Sequence, residues 1–202
     1  MKCAYGVRFL KCIRFTAMNR KLGIAIEGVR VSKCEVFSDG RGRFSKFFPF
    51  ESSQNSKTSF AASFNPVKGT IRGLHFQIEP YAEEKHITCV QGSIFDVIVD
   101  LRSESKSFGR WMSIEMSATN AIQIYLPKGV AHGFQTLEAN SIVQYVLIGA
   151  YSPEHAHTID PFGDLEIRWP IDASLVSESD SNGISFSLAS QKYVESLVKS
   201  PK

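Results

Sequence analysis

Residues 94–101, IFDVIVDL, put Phe95, Val97, Val99 and Leu101 on one side of an extended chain and Ile94, Asp96, Ile98 and Asp100 on the other. A two-residue period is the signature of a strand, not of a helical stripe. A polar, glycine-terminated turn follows at 103–109, and strand-like segments return at 111–116, 121–126, 133–137 and 141–148. Short strands spaced by roughly 8–12 residues close into a sandwich or barrel. The 15 Phe support a strand-rich core, and a hydrophobic content of 43% over 202 residues is enough to bury one. A helix is expected only near the end, over 187–199. Ser187 or Ser190 would cap it, and Tyr193, Val194, Leu197 and Val198 would form its apolar stripe. Residues 173–186, rich in Ser and Asp, are expected to be a loop. The chain carries no GxGxxG or P-loop motif, which disfavours a dinucleotide or nucleoside-triphosphate fold.

The net charge of +3 is unevenly placed. Residues 1–22 hold Lys2, Arg8, Lys11, Arg14, Arg20 and Lys21 and no acid, so the remainder is net acidic. A surface that tracks nucleic-acid phosphates is therefore not expected. The same stretch is broken by Arg8, Lys11 and Arg14 and lacks the continuous apolar segment of a secretory signal. It is expected to be a weakly ordered basic extension, with Met18 a candidate start. No run reaches the roughly 18–20 apolar residues of a membrane span. Cys3, Cys12, Cys34 and Cys89 form no C-x-x-C pair, so reduced thiols and a cytoplasmic location are expected.

Two segments carry chemistry. The first is GTIRGLHFQ (69–77), followed by Lys85 and Gly92; the second is PKGVAHGF (127–134). A Pro-x-Gly turn that delivers a His three residues later resembles the second motif of the cupin superfamily. Laid on the first cupin motif, Gly69 leads to His75, the second His becomes Gln77, and the ligand Glu becomes Lys85. An ammonium has no lone pair to give a metal and repels a divalent cation. The barrel is therefore expected to work without a metal, Lys85 stabilising negative charge on a substrate oxygen.

The segments KGTIRGLHFQ (68–77), KHITCVQGSIFDVIVDLR (85–102), SFGRW (107–111), LPKGVAHGF (126–134), QYVLIGAYSPEHAHTI (144–159) and RWP (168–170), with a weaker DGRGRF (39–44), resemble the dTDP-4-dehydrorhamnose 3,5-epimerase family. The resemblance implies an all-β, cupin-type double-stranded β-helix (jelly-roll) barrel over 23–172, with 173–202 a C-terminal loop and helix packed on it. It implies epimerisation of a nucleoside-diphosphate 4-keto-6-deoxy sugar at C3, C5 or both through an enolate, with no cofactor. By the same likeness His75 is the base, Lys85 the cation beside the enolate oxygen and Tyr145 the acid on the opposite ring face. Arg72, His132 and Gln77 line the substrate site. Asp164 orients His75, with Asp160 the alternative; the spacing also admits Phe162 or Gly163 at that place. The likeness further implies a homodimer in which the N-terminal strand of one chain reaches the other's site, where Arg41, Phe44 and Lys46 serve the nucleotide.

Strand geometry adds one expectation. Arg72 and His75 are an odd number of residues apart and would point oppositely in a regular strand. For both to enter one pocket the backbone must be irregular, and Gly73 is where a bulge would fit. Lys46, Phe60 and Ala62 depart from the family pattern at the nucleotide end, leaving CDP and GDP carriers open beside dTDP. A 3,4-ketoisomerase and a non-catalytic nucleotide-sugar-binding cupin are the competing readings, and Tyr145 argues against the first.

Overall fold

The computed structural model describes residues 25–39, 42–47 and 57–199. Among them the strands are β1 (Arg30–Lys33), β2 (Glu35–Asp39), β3 (Gly42–Lys46), β4 (Thr58–Asn65), β5 (Thr70–Gln77), β6 (Glu84–Gln91), β7 (Ser93–Asp100), β8 (Trp111–Ser117), β9 (Ile122–Leu126), β10 (Val130–Thr136), β11 (Ser141–Ile148), β12 (Ala156–Thr158) and β13 (Leu175–Val176). The helices are α1 (Glu178–Ser181) and α2 (Phe186–Lys199). The basic extension expected over 1–22, and Arg41, lie outside the described residues.

One sheet runs β1-β9-β6-β11-β4 and the other β12-β5-β10-β7-β8, with β13 added in parallel to β5. Apart from the β7–β8 hairpin, the chain from β4 to β12 changes sheet at every step. That alternation is the double-sheet jelly roll. Ile87, Ile98, Met116, Ile124, Phe134 and Val143 fill the space between the sheets and are at most 2% exposed. Each such side chain contributes about 1.5–3 kcal/mol by leaving water.

The strand at 94–101 shows both of its faces buried. Ile94 and Ile98 enter the inter-sheet core, while Val97, Val99 and Leu101 enter a second core on the outer side of the same sheet. Leu74, Phe76, Ala131, Ala189 and Tyr193 complete that second core. The C-terminal segment and α2 thus cover the outer face of this sheet, which is why β7 carries apolar residues on both sides. Helix α2 lies where the sequence predicts a helix, but its buried face is Ala189, Ser190, Tyr193 and Ser196. Leu197 and Val198 are exposed instead. Small residues let the helix approach closely, and the Ser196 hydroxyl accepts from the Glu79 N–H at 3.1 Å. The capping hydroxyl is Ser185, which accepts from the Leu188 N–H at 3.3 Å, in place of Ser187 or Ser190. The stretch expected to be pure loop contains α1, capped by Ser177.

The bulge expected at Gly73 is present. His132 pairs with His75 and Phe134 with Arg72, so two steps on β10 face three on β5. Gly73 takes φ +112°, and a Cβ there would sit 2.6 Å from the Gly133 Cα. Only glycine fits a left-handed backbone at such close approach.

Candidate active site

The bulge sets the site's first wall. Register pairing puts Arg72 and His75 of β5 on the same face as His132 and Phe134 of β10, which points between the sheets. Asp96 of β7 pairs with Phe134 and shares that face. The opposite wall comes from the five-stranded sheet. Lys85 alternates with Ile87 and Cys89 along β6, and Tyr145 with Val143 along β11, so both side chains face the same interior. Ser63 and Asn65 line its edge from β4, the last strand of that sheet.

His75 is backed by a carboxylate. Its Nε2 lies 2.7 Å from Asp180 Oδ1, and the Gly73 N–H donates to Asp180 Oδ2 at 3.2 Å. The imidazole is half exposed at 49%, whereas the carboxylate behind it is 6% exposed. Burial alone would raise the Asp180 pKa. The hydrogen bond and charge of His75, the Gly73 N–H and the Ser177 hydroxyl outweigh it and hold the carboxyl below its ordinary value. An ionised carboxylate that accepts the Nε2 proton leaves the ring's lone pair on Nδ1.

Asp164 does not occupy this place. Its Oδ1 accepts from the Phe186 N–H at 2.9 Å and so caps α2. Asp160 Oδ1 accepts from the Phe162 N–H in its own turn. The carboxylate that contacts His75 comes from α1, a position the sequence reading missed. The signal for it was Ser177-Glu-Ser-Asp180, a hydroxyl followed three residues later by an acid, which marks a helix start. The Ser177 hydroxyl accepts the Asp180 N–H at 3.1 Å, and this fixes where the carboxylate points.

Lys85 is 8% exposed and lies inside. Its Nζ donates to the His75 carbonyl at 3.4 Å and pairs with Glu83 Oε1 at 3.2 Å, an acid the sequence reading did not connect with it. Tyr145 stands edge-on to His132, ring centroids 6.4 Å apart. Burial pushes the Tyr145 hydroxyl well above the usual phenol range; the Ser63 contact and the Arg72 charge pull it back, and Asp96 adds to the rise. The phenol is therefore protonated at neutral pH and can donate. His132 Nε2 lies 2.6 Å from Asp96 Oδ2, both groups buried. Burial raises the Asp96 pKa against the opposing charge and hydrogen bond of His132. Arg72 donates from Nε to Asn65 Oδ1 at 2.7 Å.

Gln77, expected to line the substrate site, is hydrogen-bonded to the backbone of two loops. Its amide nitrogen donates to the Tyr81 and Ala150 carbonyls, and its oxygen accepts from the Ser152 N–H. These three bonds tie two loops together and engage both amide hydrogens and one of the two oxygen lone pairs on the backbone. Phe44 and Lys46 fall on β3, in a hairpin with β2. Among the described residues no three His, Cys, Asp or Glu side chains cluster as metal ligands.

An imidazole–carboxylate pair on one wall, with an ammonium and a protonated phenol on the other, can remove a proton, balance an anion and return a proton. Comparison with known proteins agrees with that chemistry. The sequence model of dTDP-4-dehydrorhamnose 3,5-epimerase matches residues 23–187. The enzyme of that name from Shigella flexneri is 38% identical over 168 residues, covering 80% of this chain and 92% of its own. The crystal structure of the Bacillus anthracis dTDP-4-dehydrorhamnose 3,5-epimerase, with TDP and pyrophosphate bound, superposes with a TM-score of 0.74 at 34% identity, covering 78% of this chain and 94% of that one. A 3'-monoepimerase from Streptomyces bikiniensis, in complex with dTDP-quinovose, gives a TM-score of 0.73 at 31% identity over 83% of this chain and 88% of its own. The chain belongs to the dTDP-4-dehydrorhamnose 3,5-epimerase family, a family of isomerases.

Proposed function

We propose that this protein inverts C3, C5 or both of a nucleoside-diphosphate 4-keto-6-deoxy sugar through an enolate. The observation that carries the reading is the pairing of a carboxylate-backed imidazole with a protonated phenol on the facing sheet. The C4 ketone acidifies the hydrogens on its neighbouring carbons. His75 takes one as a proton, and the C–H electron pair becomes the C=C bond of an enolate whose charge rests on O4. Lys85 balances that charge. Tyr145 then delivers its proton to the other face of the same carbon, which inverts it. The phenolate and imidazolium left behind exchange protons with water, and the enzyme is reset. Substrate and product share an oxidation level, so the cycle calls for no redox cofactor. Arg72 and His132 hold the substrate, the guanidinium at the diphosphate. In this reading Asp180 orients His75.

The active unit in this proposal is a homodimer. Edge strand β4 presents Phe60 and Phe64, 76% and 68% exposed, a surface suited to a second copy. Arg41, Phe44 and Lys46 would then serve the neighbour's nucleotide. Among the described residues no helix is long and apolar enough to cross a membrane, and the proposed location is the cytoplasm.

The test is incubation with a TDP-4-keto-6-deoxy sugar in deuterated water, followed by NMR. Wild-type protein is expected to place deuterium at C3 or C5 with inversion, and His75→Ala to do so about 10²–10⁴-fold more slowly. Carbonyl migration to C3 would identify a ketoisomerase. Tight binding without deuterium uptake would identify a binding module. A His75→Ala variant exchanging at the wild-type rate would remove His75 as the base.

A further inference from the structure

Two polar side chains on β4 connect groups that belong to different steps of this chemistry. Asn65 is 1% exposed, and its amide orientation is fixed. Nδ2 donates to the Ser141 carbonyl at 3.1 Å and the Ser63 carbonyl at 3.2 Å, so Oδ1 must face the other way, toward Arg72. The 2.7 Å bond from Arg72 Nε sets the plane of the guanidinium. It leaves the two terminal nitrogens without a partner among the described residues, free to form the fork that fits phosphate oxygens. Nδ2 of Asn65 also reaches Ser63 Oγ at 3.2 Å, one of its two hydrogens being shared between that hydroxyl and the Ser63 carbonyl. Ser63 Oγ in turn stands 3.4 Å from the Tyr145 hydroxyl. That last distance is long for a hydroxyl pair, so the phenol is guided yet still able to turn onto a substrate carbon. The chain Arg72–Asn65–Ser63–Tyr145 runs from β5 of one sheet, along the edge strand of the other, to β11.

We propose that Asn65 and Ser63 are positioning residues that aim the anion-holding guanidinium of Arg72 and the proton-returning phenol of Tyr145 through one hydrogen-bonded bridge. The inference rests on the epimerase reading above and adds to it. A diphosphate seated on Arg72 and a phenol pointed at the ring become parts of one arrangement, so gripping the substrate also aligns the acid.

Two readouts separate this from a merely structural role. The first is the ratio of inverted product to deuterium found in recovered, uninverted substrate, which falls when the enolate forms but the phenol is misaimed. The second is affinity for TDP by calorimetry. Ser63→Ala cuts only the phenol end, so the inversion-to-exchange ratio is expected to fall about tenfold with TDP affinity unchanged, and Ser63→Thr, which keeps a hydroxyl, to restore it. Asn65→Ala cuts both ends and is expected to lower the ratio and weaken TDP binding, each by about tenfold. If the buried Asn65→Ala variant does not fold, the Ser63 pair carries the test alone. Wild-type ratios in Ser63→Ala, or unchanged TDP affinity in folded Asn65→Ala, would overturn the bridge while the epimerase reading stands. A wild-type protein that neither exchanges deuterium into TDP-, CDP- and GDP-linked 4-keto-6-deoxy sugars nor binds TDP, CDP or GDP would remove both.

Discussion

Asp180→Asn tests the arrangement behind the base at a single site. The carboxylate offers one oxygen to His75 Nε2 at 2.7 Å and the other to the Gly73 N–H at 3.2 Å. An amide has one oxygen and one NH₂, so no rotamer serves both donors. With the NH₂ toward Gly73, two donors meet in a buried position, at a cost of about 1–3 kcal/mol. With the NH₂ toward His75, the imidazole must move its proton to Nδ1, the nitrogen whose lone pair the base needs. Either way the charge-assisted bond to the imidazole is lost, and such bonds contribute about 1.5–3 kcal/mol. At 1.36 kcal/mol per factor of ten, turnover is expected to fall about 10- to 100-fold. The assay is deuterium uptake by NMR at saturating TDP-4-keto-6-deoxy sugar, with Asp164→Ala beside it. Asp164 caps α2, so its loss is expected to lower stability by about 0.5–2 kcal/mol while leaving the uptake rate of the folded protein near wild type. Asp180→Asn turnover within twofold of wild type, or a matching loss in folded Asp164→Ala, would refute the assignment.

Two further outcomes follow from geometry and titration. Gly73→Ala forces a side chain into a φ of +112° and toward Gly133, so a loss of at least about 1–3 kcal/mol is expected in denaturant melts, with the bulge that aligns Arg72 and His75 disrupted. For Tyr145, the folded pKa is raised above the unfolded value of 10.0, so its contribution is fully present below about pH 10 and is lost as pH climbs toward the folded value. Tyr145→Phe should therefore show a shallower alkaline loss of stability, with Tyr125 and Tyr193, each pushed up to about 12, supplying the rest of the slope; it should also keep deuterium uptake while losing inversion.

Much of this is legible in the sequence. The alternation at 94–101 marks β7, and the parity clash between Arg72 and His75 marks the Gly73 bulge, because both follow from a local period. Lys85 is marked by its place in the cupin motif and Tyr145 by the family resemblance, and both share a strand face with apolar residues, Ile87 and Val143, of the inter-sheet core. What was not legible depends on contacts distant in sequence. Asp180 reaches His75 across 105 residues, and nothing local to His75 signals it. The stripe expected on α2 was rotated because Ala189 and Ser196, small rather than strongly apolar, form the contact face. Gln77 carries a metal-ligand position of its superfamily motif, but only the docked loops show that both of its amide hydrogens go to backbone carbonyls. Glu83 beside Lys85 likewise depends on how one strand enters the sheet.

Asp180 lies on α1, in the C-terminal segment that packs over the outside of the jelly roll. That segment does two things at once: Ile159, Ala189 and Tyr193 cover Val97, Val99 and Leu101, and Asp180 gives the imidazole of His75 its anion. Cover and counter-ion are therefore carried by one stretch of chain. A change that lifts the segment off the sheet would expose an apolar face and strip His75 of its partner in the same movement.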